Sequence, residues 1–130
     1  MFEITPESVS HFLQGNRALE SSAKPGMGRL WTKMATDLVA RELSVGGIIR
    51  LEARETQIEP DLAHTFLKVS DAVHLAYLCD GAGLIKRPPY FGPEEDAPEH
   101  LRNSRPDWQE YDKGDVHRFF GGLFNIKRRD

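Results

Sequence analysis

Residues 27–43 constrain the fold more than any other stretch. Met27, Leu30, Trp31, Met34, Ala35, Leu38, Val39 and Leu43 recur at helical spacing, and Arg29, Lys33, Asp37 and Arg41 fall largely opposite. A long helix with one face in a core is predicted, ended by Gly46-Gly47. Trp31 sits within the apolar stripe, so core packing is its expected role.

The period then changes. Over 48–58, Ile49, Leu51 and Ala53 alternate with Arg50, Glu52 and Arg54, the pattern of a strand with one wet face. Pro60-Asp61 signals a turn. Residues 62–69 fit two structures: a strand completing a hairpin with 48–58, or the first helix of a helix-turn-helix. Ser70-Asp71 predicts the cap of a short buried helix over 72–80, stopped by Gly81 and Gly83, with Leu84-Ile85 as a short strand. Near the N-terminus, Thr5-Pro6-Glu7 offers a cap, a first-turn proline and a first-turn acid, and Val9, Phe12 and Leu13 share one face of the helix that follows.

After Lys86-Arg87 the composition shifts. Pro88, Pro89, Pro93, Pro98 and Pro106 accompany Glu94, Glu95, Asp96 and Glu99, which predicts an extended, solvated connection. Beyond it Trp108, Tyr111, Phe119, Phe120, Leu123, Phe124 and Ile126 bring aromatic and aliphatic bulk, with Asp115 placed to cap a helix through Phe124 and Lys127, Arg128 and Arg129 at its end. The expected organisation is a globular core over 1–90, a proline-rich acidic connection over 91–107, and an aromatic segment over 108–130. The expected fold is α+β and mainly helical: one domain with a small antiparallel sheet around 48–58 and an extended C-terminal arm. A winged-helix-like arrangement is the alternative.

Charge and cysteine content exclude several classes. Lys and Arg number 17 against 20 Asp and Glu, a net charge of −3, which gives no overall field toward nucleic acid or an anionic membrane. One cysteine, Cys79, permits neither an intrachain disulfide nor a thiolate metal site. The first residues lack a basic and an apolar signal region and no apolar run is long enough to span a bilayer, so a cytoplasmic location without membrane contact is expected.

No catalytic motif stands out. Gly81-Ala82-Gly83-Leu84-Ile85-Lys86 looks like a phosphate loop, but a helix is predicted before it and Pro88-Pro89 prevents one from starting after it. Five residues apart on a helix, His74 and Cys79 point away from each other. Neither a metal site nor a cofactor is expected. One enzymatic reading stays open, a small enzyme using some of His64, His74, His100 and His117 brought together by folding.

Leu62-Ala63, Val69-Ser70, His74-Leu75-Ala76-Tyr77-Leu78 and Ala82-Gly83-Leu84-Ile85-Lys86-Arg87 together resemble the helix-turn-helix and wing of winged-helix regulators. The resemblance covers about 26 residues and implies DNA binding, with Lys86 and Arg87 in the wing and Lys127, Arg128 and Arg129 on phosphates. The stretch it makes the recognition helix contains no Arg, Lys, Asn or Gln, so a protein partner is expected ahead of nucleic acid. The leading expectation is therefore a non-catalytic protein-binding module: an adaptor, inhibitor or regulator. Its contact surface would be Trp108, Tyr111, Phe119 and Phe120, steered by Glu94, Glu95 and Asp96. The same aromatic segment could close the domain's own core or dock in a second copy as a homodimer.

Overall fold

The computed structural model describes residues 4–43 and 49–106, together with the backbone of Leu123–Asn125. Helix α1 (Pro6–Leu13) begins as predicted. Thr5 Oγ1 accepts from the Ser8 amide at 3.1 Å, Ser8 Oγ accepts from the Thr5 amide at 2.7 Å, and Pro6 fills the first turn. A 3-10 helix, Arg17–Ser22, leads through Pro25-Gly26 to α2 (Gly28–Glu42), whose buried stripe includes Trp31, Ala35, Leu38 and Val39.

Four strands follow as an antiparallel meander: β1 (Arg50–Glu59), β2 (Leu62–Ser70), β3 (Tyr77–Asp80) and β4 (Tyr90–Pro93). Two short strands, β5 (Arg105–Pro106) and β6 (Leu123–Asn125), share the other edge of β1; β5 lies opposite Arg54 and Glu55, and β6 opposite Arg50, Leu51 and Glu52. The spatial order is β4-β3-β2-β1-β5, with β6 also on β1.

Register assigns the faces. Leu51 pairs with Val69, Ala53 with Leu67, and Leu67 with Cys79, so these side chains share the face that α1 and α2 cover with Val9, Leu13, Trp31, Ala35 and Val39. On the opposite face Phe66 and Leu78 pack with Ala97, Leu101 and Tyr90. Ala97 and Leu101 come from the stretch that holds a 3-10 helix, Glu94–Asp96, and α3 (Glu99–Arg102). Both faces of the central strands are thus covered.

Several expectations are corrected. The domain is α+β, but strand and helix take comparable shares of the described residues, so it is not mainly helical. Residues 62–70 are strand, completing the hairpin with β1, and the predicted helix over 72–80 is a turn followed by β3. Asp71 does cap, yet it caps only a turn, Oδ1 accepting from the amides of Val73 at 3.0 Å and His74 at 2.7 Å. A single capped turn is a poor helix nucleus, and pairing Tyr77, Leu78 and Cys79 to β2 buries their apolar surface instead. With both helices gone, neither the helix-turn-helix nor the winged-helix-like arrangement is formed. Leu84-Ile85 belongs to a tight turn rather than a strand. The proline-rich stretch packs over the sheet through Ala97 and Leu101 rather than running extended in solvent. Leu123 and Phe124, predicted to end a helix, lie in β6. Among the described residues no helix is long and apolar enough to cross a membrane.

Candidate functional site

Three connections converge at one end of the sheet: the β1–β2 turn, the 81–89 loop and the Pro25-Gly26 turn. The first is stiffened by Gln57, whose Nε2 donates to the carbonyls of Glu59 at 2.6 Å and Pro60 at 3.1 Å. In the 81–89 loop, Leu84 and Arg87 exchange both backbone hydrogen bonds, Leu84 N–H to Arg87 O at 2.7 Å and Arg87 N–H to Leu84 O at 3.0 Å. Ile85 and Lys86 are therefore the two residues of a closed, tight loop.

Turn tips of this kind favour Gly, Asn, Asp and Pro for their backbone preferences. A β-branched apolar residue meets neither that demand nor the usual demand for burial, yet Ile85 is 87% exposed. Leu62, on the neighbouring turn, is 44% exposed. Together with Pro25, Ile58 and Leu84 they line a groove of about 520 Å³. Lys86 and Arg87 flank it, and Glu59 is the one carboxylate in its lining.

A buried histidine–carboxylate contact supports this end. His64 Nε2 lies 2.8 Å from Asp80 Oδ2, with the two side chains 3% and 2% exposed. Asp80 Oδ1 accepts the Gly83 amide at 3.0 Å, so the same carboxylate fixes the histidine and the loop that carries Ile85. Gly83 has φ +64, and a Cβ there would meet the backbone nitrogen of Pro89 at 2.9 Å, which favours glycine on both counts. The His64 ring packs so close to the start of α2 that a Cβ on Gly28 would lie 3.0 Å from Cε1 and Nδ1. A second, smaller cleft of about 240 Å³ is lined by His64, Thr65, Glu55, Arg29 and Gly28. Arg105 covers Glu55 with a hydrogen bond of 2.9 Å. His100, on α3, sits in the combined field of Arg87, Asp80 and His64; burial and the Arg87 charge hold its pKa below the ordinary imidazole value.

The predicted residues distribute unevenly over this framework. Lys86 and Arg87 are exposed beside the groove. Glu94 is partly buried and pairs with Lys68 at 3.2 Å, while Glu95 and Asp96 face solvent. Trp108, Tyr111, Phe119, Phe120, Lys127, Arg128, Arg129 and His117 lie outside the described residues. Of the histidines, His64 reaches Asp80 and His74 reaches Asp71 at 2.8 Å, but the first pair lies near the start of β2 and the second past its end, so they do not form one site. Burial pushes the Cys79 thiol up to about 12, which removes it as a nucleophile. Among the described residues no group of three or more His, Cys, Asp and Glu is arranged to hold a metal ion. Leu62, Ile58 and Ile85 were missed as surface residues; the available signal was an isoleucine held between Gly83 and Pro88-Pro89. Comparison with protein-family models, curated proteins and solved structures gave no significant match.

Proposed function

We propose that the chain is a non-catalytic protein-binding module that engages its partner through the 84–87 turn and the adjoining groove. The observation that carries this reading is Ile85, 87% exposed at the tip of a loop closed by two backbone hydrogen bonds. A rigid element holding an apolar side chain in water gains nothing within the monomer; burial of Ile85 and Leu62 in a partner would contribute roughly 1.5–3 kcal/mol each. Breaking a local turn preference without a folding gain is characteristic of positions kept for function. Lys86 and Arg87 on the rim favour a partner surface that carries carboxylates.

The test replaces Ile85, in the full chain expressed in its own cell, with a photo-crosslinking amino acid. A parallel probe replaces Glu20, an exposed residue of the 3-10 helix. Discrete adducts at position 85 that are absent at position 20, and that disappear with K86E/R87E, are expected. Identical adduct patterns at the two positions, or none at position 85, would overturn the proposal.

A further inference from the structure

The opposite end of the sheet carries a second surface with the opposite charge. Beyond β2, Asp71 organises the 71–76 loop by accepting two backbone amides, and its Oδ2 lies 2.8 Å from His74 Nδ1. Burial works against its charge, but these hydrogen bonds from His74 and Val73 hold its carboxyl below the ordinary value. The loop so fixed holds Val73 82% and Leu75 55% exposed. They line a groove of about 650 Å³ with Tyr77, Thr5, Glu7 and His74, the last held on Asp71.

Its surroundings are acidic. The Glu94 amide donates to Ala76 O at 2.8 Å, which ties the Glu94–Asp96 3-10 helix to the base of the loop. Burial raises the Tyr77 pKa, and the charges of Glu7 and Asp96 push the same way; Glu7 itself lines the groove. A nine-residue strand, β2, separates the two apolar surfaces, a span of roughly 30 Å.

One end of the molecule thus presents an apolar projection with two adjacent cations, and the other an apolar groove with carboxylates around it. We propose that the groove at Val73, Leu75 and Tyr77 receives the 84–87 turn of a second copy of this chain. Ile85 enters between Val73 and Leu75, and Lys86 and Arg87 face Glu7 and Asp96. The contact joins two different surfaces, so each copy donates a projection and offers a groove. This rests on the reading of the 84–87 turn as the binding element and adds its partner.

The test uses sedimentation velocity on the full chain, on I85D and on L75D. Both substitutions fall on exposed side chains, and circular dichroism checks that the fold is kept. Wild-type mass is expected to rise with concentration and to fall back at high salt. Each variant alone should remain a monomer. An equimolar mixture should form a one-to-one dimer, because I85D supplies an intact groove and L75D an intact projection. A wild-type chain that stays monomeric, or a mixture that does, would overturn the proposal. The photo-crosslink at position 85 separates the two ideas: adducts of another mass, without any of two chains, keep the binding module and reject the second copy, while no adduct rejects both.

Discussion

The indole of Trp31 lies directly on the α-carbon of Gly81: a Cβ at that position would overlap Cε2, Nε1 and Cζ2 of the ring. The contact closes the core between α2 and the end of β3, where Phe91 meets the same indole edge-on at 5.8 Å. Gly81→Ala therefore introduces overpacking without a positive-φ penalty, since Gly81 is not among the glycines with positive φ. A loss of about 1–3 kcal/mol is expected, read from urea unfolding. Adding Trp31→Phe shrinks the ring that the methyl meets, so the double variant should lose less than the sum of the two single variants.

The same contact shows what could be read from the sequence and what could not. Trp31 as a core residue, α2 and β1 followed from periodicity, and α1 from periodicity with its Thr5 cap, because each has one buried and one wet side; the expected Gly46-Gly47 stop lies outside the described residues. Strands β2 and β3 gave no such signal. Phe66 and Leu67, at 0% and 1% exposure, point to opposite faces, as do Leu78 and Cys79 at 1% and 0%, because helices cover one face and the Glu94–Arg102 region the other. Covering both faces erases alternation, leaving short apolar runs that fit helix or strand equally. The His64–Asp80 pair depends on the register of β2 against β3, which no local pattern encodes.

That pair yields the second prediction. Asp80→Ala removes the acceptor of both His64 Nε2–H and the Gly83 amide, leaving two buried donors without partners. Each unsatisfied donor should cost about 1–3 kcal/mol of stability. Asp80→Asn keeps a carbonyl oxygen that can accept one of the two, so its loss should be clearly smaller. Urea unfolding of the two variants gives the comparison; equal losses would mean that the acceptor atoms do not matter and that only packing does.

Cys79 sets the third. Its thiol is fully buried on β3, and burial raises its pKa from 9.0 to about 12. In the unfolded chain the thiol ionises near 9.0 and in the folded chain only near 12, so the native state keeps the proton longer. The resulting stabilisation is complete below pH 9.0 and is lost as pH rises toward 12, at about 1.4 kcal/mol per pH unit from this one group. Cys79→Ala should flatten stability against pH across that window. At neutral pH, alkylation of wild-type Cys79 should proceed only as fast as the chain opens, and denaturant should accelerate it.

The last prediction concerns stability and binding at one residue. Ile85 sits at the tip of a two-residue turn, and its side chain touches water almost everywhere. Ile85→Asn should therefore leave the stability unchanged within about 0.5 kcal/mol, because nothing buried is removed. Association through the 84–87 turn should nevertheless disappear, since the apolar contact is gone while Lys86 and Arg87 remain. Thermal unfolding and sedimentation velocity on the same sample read the two effects independently. If the variant were destabilised by several kcal/mol, Ile85 would have a folding role and its exposure would no longer argue for a partner. Unchanged stability with association intact would place the energy of contact in the two cations instead, and a steep salt dependence of the residual binding would then be required.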